Sequence, residues 1–129
     1  MVRKQVSSGT HWENFVGYSR ALKVGNIIEV AGTTAVDDNE IVGENDAYAQ
    51  TVFIIKKMQK ALQELDSDLK DVIRTRIYVT DISKWEGIGR AHGEFFKDIK
   101  PASTMVEVSA LVSPEMLVEI EMTAIVDEK

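Results

Sequence analysis

The chain has 129 residues, the length of one domain, and we expect residues 1–129 to fold as a single unit. Its content of 44% hydrophobic and 28% charged residues is typical of a folded protein and excludes a disordered one. The balance of 15 basic against 21 acidic residues gives a net charge of −6, which argues against nucleic acid as a partner.

Several other classes of protein are excluded by what the chain lacks. It has no cysteine, and therefore no disulfide frame, thiolate metal site or cysteine nucleophile. Its two histidines, His11 and His92, are too far apart to suggest a metal site. No apolar run approaches the roughly 20 residues of a membrane helix, and the N-terminus lacks the apolar stretch of a signal peptide. We therefore expect a cytoplasmic protein without a membrane partner or a metal.

The first third of the chain predicts strands. Residues 14–36 contain two extended apolar runs separated by Gly25 and Asn26. This pair is typical of a two-residue hairpin turn, because glycine tolerates a positive φ at the first turn position. The polar residues 37–45 predict a loop or a short edge hairpin.

The middle of the chain predicts a helix followed by a strand. Residues 46–65 place apolar side chains three or four positions apart, which is the spacing of a helical stripe, and Asp46 can cap its start. The β-branched run 71–80 predicts a strand with two different faces. One face carries Ile73, Thr75, Ile77 and Val79, and the other carries Arg74, Arg76 and Tyr78.

A second helix and two strands complete the chain. The helix is predicted over 84–98, with Ser83 and Glu86 spaced as a capping box at its start. Alternating apolar residues at 104–108 and 118–124 predict the final strands. Two helices cover one face of a sheet, so this order predicts an α+β fold with a mixed sheet and one open face. The open face carries acids, arginines and a tyrosine, so it is either exposed to solvent or buried with paired charges in a subunit interface, and we favour the interface.

Four segments, in this order, resemble the Rid (YjgF-type) family of reactive-intermediate deaminases, and the resemblance covers about residues 14–126. They are Gly-Tyr-Ser-Arg at 17–20, the hairpin at 24–32, Arg-Ile-Tyr-Val-Thr-Asp at 76–81, and Lys-Pro-Ala-Ser-Thr-Met-Val-Glu-Val at 100–108 with Val-Glu-Ile-Glu at 118–121. No single segment is decisive, and the strength of the resemblance lies in their order and spacing.

The resemblance implies a chorismate-mutase-like subunit that assembles as a homotrimer. The open sheet faces would line the centre of the trimer, and three equivalent clefts would lie between neighbouring subunits. It also implies the hydrolysis of 2-imino acids and their enamine tautomers to 2-keto acids and ammonia. That chemistry needs no metal and no organic cofactor.

Three positions match the family's site residue by residue. Tyr18 matches a tyrosine of the cleft, and Gly32 matches the glycine that ends the hairpin strand at the cleft. Glu119 matches the glutamate that places the attacking water. A carboxylate suits this role, because it can accept a proton from water and stabilise a developing ammonium.

Three other positions depart from the family pattern. The family carries an arginine directly after Pro-Ala, where it clamps the substrate carboxylate through two hydrogen bonds. Here this position is Ser103. The family's serine before the glycine is Ala31, and the small polar residue two positions after the arginine is Met105. The chain therefore resembles a divergent branch that lacks the catalytic arginine.

Arg20 is a candidate replacement for the missing cation. It lies two residues after Tyr18, so in a strand both side chains point to one face, and the alternative is a surface or interface arginine. Thr33 offers a hydroxyl that can bind a ligand or satisfy a turn. His92 lies on an apolar helical stripe, where it is either a proton shuttle with Glu119 or a packed, hydrogen-bonded residue.

These observations predict a Rid-like hydrolase or deaminase that acts on imines, enamines or related C–N metabolites. Glu119 would orient water, and the substrate would contact Tyr18, Arg20, Ala31, Gly32, Thr33, Ser103 and Met105. Because Ser103 replaces the arginine, the substrate either lacks a carboxylate or has it held by Arg20. The alternative is a trimer of the same fold that binds a small metabolite without turning it over.

Overall fold

The computed structural model describes residues 1–127 and consists of one six-stranded sheet, a separate two-stranded hairpin and three helices. The strands are β1 (Arg3–Val6), β2 (Ala21–Val24), β3 (Ile27–Thr33), β4 (Val36–Asp37), β5 (Glu40–Ile41), β6 (Val72–Val79), β7 (Ala102–Glu107) and β8 (Val118–Ile125). The helices are α1 (His11–Val16), α2 (Ala47–Gln63) and α3 (Trp85–Phe96).

The six-stranded sheet is mixed, with the order β1-β2-β3-β8-β6-β7. Its neighbouring strands are antiparallel except for β6 and β7, which are parallel and are connected through α3. A parallel pair requires a crossover of this kind, because a tight turn cannot bring the chain back in the same direction. The predicted α+β fold with a mixed sheet is confirmed.

The core lies between the sheet and the two long helices. Strand residues that alternate along the chain point towards the helices, where they meet the buried stripe of α2. The largest buried side chains of this layer are Ile28, Ile54, Ile55, Met58, Leu62, Ile88, Phe96, Ile120 and Met122. The helices therefore cover one face of the sheet, as predicted.

The other face of the sheet carries charged side chains that are only half-buried. Arg76 Nε lies 3.7 Å from Glu121 Oε1, and the Tyr78 hydroxyl donates a hydrogen bond to the same oxygen at 3.0 Å. The hydrogen bond and the negative charge of Glu121 raise the pKa of Tyr78. On this face, Arg76 and Tyr78 thus both contact the Glu121 carboxylate within the subunit.

The hairpin turn and the first long helix form as predicted. Gly25 has φ +61° between β2 and β3, and residues 36–41 form the short separate hairpin β4–β5. The Asp46 side chain caps α2 by accepting a hydrogen bond from Ala49 N at 3.0 Å. Within residues 1–127, no helix is long and apolar enough to cross a membrane.

The prediction of strands from residue 14 onwards is wrong for residues 14–20, because residues 14–16 end the short helix α1 and β2 begins only at Ala21. Gly17 terminates this helix with φ +89°, and its N–H donates to Glu13 O at 2.9 Å. The sequence analysis also missed β1. Its residues are exposed except Val6, so this edge strand has no alternating pattern of apolar side chains.

Two further predictions fail at places where the backbone is irregular. The pairing of β6 with β8 shifts register between Val72 and Arg74, so Ile73 leaves the core face and is 46% exposed. The capping box at Ser83 is also wrong. A 3₁₀ turn precedes α3, and the Ser83 hydroxyl donates to Asp81 Oδ1 at 2.6 Å instead of capping the helix.

The register shift in β6 predicts unequal effects for two isoleucines on the same strand. Ile77→Ala should lower the free energy of unfolding by about 2–5 kcal/mol, because Ile77 is buried and the substitution leaves a cavity. Ile73→Ala should lower it by less than about 1 kcal/mol. Urea denaturation of both variants measures the difference, and equal losses would contradict the register.

Candidate active site

The candidate site is built around a bulge in β3 opposite β8. Val30 pairs with Met122 and Thr33 pairs with Ile120, so β3 advances three residues while β8 advances two. An extra residue of this kind leaves the ladder locally unpaired and re-aims side chains, and such bulges are frequent beside active sites. Here the bulge contains Ala31 and Gly32.

Gly32 lies directly against the carboxyl group of Glu119. A Cβ atom at position 32 would lie 3.0 Å from Glu119 Cδ and closer still to Oε2, so any side chain there would displace the carboxyl group. The glycine therefore allows this position of the carboxyl group rather than a turn, because its φ is not positive. The structure thus brings Gly32 and Glu119 into contact.

Arg20 reaches the same place from the segment before β2. Its backbone is fixed by hydrogen bonds from Arg20 N to Val6 O at 2.8 Å and from Ala31 N to Arg20 O at 3.0 Å. Its Nη2 donates to Gly32 O at 2.5 Å, and its guanidinium carbon lies 5.6 Å from the centre of the Tyr18 ring. The structure thus brings Tyr18, Arg20, Gly32 and Glu119 together.

The Arg20 side chain is buried, yet its hydrogen-bonding capacity is only partly used. It is 9% exposed, and among the described residues 1–127 its Nε has no hydrogen-bond partner. No carboxylate of that part of the chain lies within ion-pair distance of it. A buried cation with a free donor is costly, and an anion bound there would reduce the cost.

Burial sets the electrostatic state of Glu119. The loss of solvent raises the pKa of its carboxyl group, and the charge of Glu121 raises it further, whereas the positive charge of Arg20 opposes both effects. Lys57 is a second cation close enough to interact with Arg20. Burial lowers the pKa of Lys57, and the positive charge of Arg20 lowers it further. The Lys57 ammonium donates to Val36 O at 2.9 Å. Nothing in the sequence pattern indicated this lysine.

Ala31 and Thr33 flank the same glycine but lie in different surroundings, one beside a concavity and the other in the core. Ala31 borders an open concavity of about 860 Å³ on the sheet face away from α2 and α3, together with Tyr18, Arg76 and Glu121. Thr33 points towards the core, is 1% exposed, and donates its hydroxyl to Ala31 O at 2.8 Å. Its hydroxyl therefore serves the backbone of the bulge, the turn-like role that the sequence left open.

Ser103 and Met105 do not join this group within one subunit. They lie on β7, which is separated from β8 by β6, and neighbouring strands are about 4.8 Å apart. Ser103 pairs with Thr75 on the helix side of the sheet, whereas Glu119 lies on the opposite face. Ser103 is exposed, and Met105 packs partly buried against the core.

His92 also lies on the helix side, away from Glu119. Its Nε2 is 2.9 Å from Thr75 Oγ1, and its ring packs on Phe96 with 4.6 Å between ring centres. Burial lowers the pKa of His92. Of the two roles left open for this histidine, the geometry gives the packed, hydrogen-bonded one. Among residues 1–127, no three acidic or histidine side chains are grouped so as to hold a metal.

Comparison with known protein families identifies the class to which this fold and site belong. Residues 10–126 match the family described as Endoribonuclease L-PSP. The chain belongs to this family, which corresponds to the YjgF-type resemblance read from the sequence, and that prediction is confirmed.

Individual relatives agree with the family assignment. The chain is 34% identical over 121 residues to the protein SCO2049 of Streptomyces coelicolor, covering 94% of this chain and 90% of the relative. It is 34% identical over 108 residues to the 3-aminoacrylate deaminase RutC of Acinetobacter baylyi, covering 83% and 85%.

A solved structure has the same fold along almost the whole chain. It is Rv2704 of Mycobacterium tuberculosis, a member of the YjgF/YER057c/UK114 family. The TM-score is 0.89 and the sequence identity is 46%, with 97% of this chain and 100% of the other covered. The YjgF-like fold predicted from the sequence is therefore confirmed.

The raised pKa of Glu119 predicts that its charge destabilises the folded state. Between the ordinary pKa of glutamate and the raised value, the folded protein holds the proton longer, so stability falls as the pH rises through this window. Glu119→Gln should remove this loss. Urea unfolding should show the variant gaining stability over the wild type as the pH rises above 4.5, the ordinary pKa of glutamate.

Glu44→Gln provides the control for the loss of one negative charge, because Glu44 is exposed in the loop before α2. A pH-dependent gain of the same size in Glu44→Gln would contradict the role of burial. The absence of any gain in Glu119→Gln would do the same.

Proposed function

We propose that the chain is a deaminase that hydrolyses imines, enamines or related C–N metabolites in clefts between the subunits of a homotrimer. The observation that carries the proposal is the contact of the half-buried Glu119 carboxyl group with Gly32, beside the Arg20 guanidinium. The relative named 3-aminoacrylate deaminase, which is 34% identical, supports the reaction class.

In the proposed reaction, Glu119 accepts a proton from water while the water oxygen bonds to the carbon of the C=N group. Glu119 passes this proton to the nitrogen as the second bond of the C=N group breaks, so the carbon then carries both a hydroxyl and an amino group. Glu119 next accepts the hydroxyl proton as the C=O bond forms and passes it to the amino nitrogen as the C–N bond breaks, and ammonia leaves. A carboxyl group with a raised pKa suits this role, because it must both accept and release a proton.

The position of β7 supports an assembly of several subunits. Ser103 and Met105 lie two strands away from β8, and Ser103 lies on the other face of the sheet from Glu119. A complete cleft therefore needs these residues from a second copy. The sheet face away from α2 and α3, with its half-buried charges and its concavity, is the surface against which copies would pack.

The replacement of the family's arginine by Ser103 leaves two possibilities for the substrate. Either the substrate has no carboxylate, or Arg20 holds it. The second possibility is favoured by the Arg20 guanidinium, which lies beside Gly32 and has no ion-pair partner among residues 1–127, because a carboxylate would supply the missing negative charge. A trimer that binds such a metabolite without hydrolysing it is the alternative function.

Small molecules are the proposed partners, rather than nucleic acid. The family description includes the word endoribonuclease, but the net charge of −6 disfavours binding to a phosphate backbone. Retention of RNA by the purified protein at physiological salt would contradict this part of the proposal.

The proposed homotrimer is tested separately. Light scattering should give a mass of three subunits of 14.4 kDa.

The proposed reaction predicts faster ammonia release from imines generated in situ, with a panel that includes members with and without a carboxylate. Glu119→Gln should lower kcat by at least about 100-fold, because it removes the general base. Glu44→Gln should leave the rate unchanged. If the wild type accelerates no member but is stabilised by ligands that are recovered unchanged, the binding function replaces the enzymatic one.

The proposed role of Arg20 predicts a change in substrate preference. Arg20→Gln should lower kcat/KM about 30-fold for carboxylated imines and little for uncarboxylated ones, since a charged hydrogen-bonded pair is lost only with the former. Arg90→Gln, on the exposed side of α3, is the matched control. Equal losses on both kinds of substrate would remove Arg20 from carboxylate binding.

A further inference from the structure

Three hydrogen-bonding side chains form a continuous chain between the helix layer and the edge strand β7. Thr75 lies at its centre and is fully buried, with 0% exposure. Its Oγ1 is 2.9 Å from His92 Nε2 and donates to Ser103 Oγ at 2.7 Å. The chain thus leads from a half-buried imidazole to an exposed hydroxyl.

Counting protons leaves two directions for this chain. A threonine hydroxyl has one proton, so it can donate only one of its two hydrogen bonds and must accept the other. In the arrangement in which Thr75 donates to Ser103, His92 Nε2 carries a proton and donates it to Thr75; in the reverse arrangement Ser103 donates to Thr75 and Nε2 accepts. Burial lowers the pKa of His92, so the imidazole is neutral near pH 7 and its proton lies on one nitrogen only.

The first arrangement leaves the proton of Ser103 free. The Ser103 hydroxyl already accepts from Thr75, and within residues 1–127 it donates to no protein group. Its side chain is exposed on the outermost strand of the sheet. It therefore presents one oriented donor to whatever molecule binds next to β7.

We propose that Thr75 and His92 are positioning residues that hold the Ser103 hydroxyl as a hydrogen-bond donor to an acceptor oxygen of the substrate. This inference rests on the proposed function, in which Ser103 lines the cleft. An arginine in this place would offer a charged fork to two oxygens, whereas the serine offers one uncharged donor to one oxygen. The geometry points to a carbonyl, a carboxamide or one oxygen of a carboxylate as the group bound here.

The direction of these hydrogen bonds can be measured without any substrate. The protein has only two histidines, so ¹⁵N spectra of the imidazoles are simple, and His11→Gln assigns the signals. In the wild type at pH 7, Nε2 of His92 should carry the proton. In Ser103→Ala, Thr75 loses its acceptor and can turn its proton towards Nε2, so the tautomer with the proton on Nδ1 should increase. A wild-type His92 protonated on Nδ1 would overturn the proposal.

The action of Thr75 through Ser103 is tested by a double-mutant cycle on a turned-over imine. Thr75→Val should raise KM about tenfold with little change in kcat, and Thr75→Ser, which keeps the hydroxyl, should restore the wild-type KM. In the Ser103→Ala background, Thr75→Val should add no further loss. Equal losses in both backgrounds, or failure of Thr75→Ser to restore KM, would overturn the proposal.

His92→Phe tests the same chain if Thr75→Val does not fold, because it removes the donor to Thr75 while keeping a ring against Phe96. Its effect on KM should likewise disappear in the Ser103→Ala background, and a persistent effect would overturn the proposal. If the wild type turns over no imine, the proposed function fails, and the imidazole spectra still decide the direction of the chain. The two proposals therefore fail separately.

Discussion

The candidate site depends on the close approach of the Glu119 carboxyl group to the backbone of Gly32. No side chain can occupy position 32 without displacing the carboxyl group, so this contact requires glycine. The bulge in β3 makes the approach possible, because the extra residue there turns the glycine towards β8 while Thr33 returns to the core. Packing in the core and the position of the carboxyl group are thus fixed by the same irregularity.

Burial of Glu119 has an electrostatic consequence that Arg20 limits. Taking a carboxylate out of water raises its pKa, and Arg20 holds that rise in check without lying within ion-pair distance. If the two groups formed a tight pair, the carboxylate would lose much of its basicity and the guanidinium would have no free donor. Their separation leaves one group able to accept a proton and the other able to bind an anion, which is what the proposed reaction needs from this half of the cleft.

The sequence predicted those parts of the molecule that depend on local pattern. The Gly25 turn and the cap at Asp46 are local, and the structure contains both. The predicted fold, which rested on the order of four segments along the chain, is also present. Prediction from the sequence failed where the backbone departs from regular strand pairing, as at Ile73. It also failed where a strand is exposed on both faces, as in β1. Period-two alternation cannot indicate a bulge, because one extra residue inverts every side chain after it.

The site was predictable only in part for the same reason. The sequence predicts Tyr18 and Arg20 on one face of a strand, whereas both residues precede β2 and lie outside any strand. The contact of Arg20 with Gly32 O depends on the bulge. The chain of hydrogen bonds from His92 through Thr75 to Ser103 joins a helix, an inner strand and an edge strand. No spacing in the sequence relates these three residues, because their distances are set by the packing of α3 across β6 and β7.

The two polar groups that approach the proposed cleft differ in what they demand of a substrate. Arg20 carries a permanent charge at the end near Glu119, whereas Ser103 offers a neutral donor at the end formed by β7. Positive charge therefore lies beside the proposed base and not at position 103 on β7. An anionic group bound by Arg20 would lie close to Glu119 and raise its pKa further, whereas an anion bound at β7 would lie farther from it. The position of the cation thus links substrate binding to the basicity of Glu119.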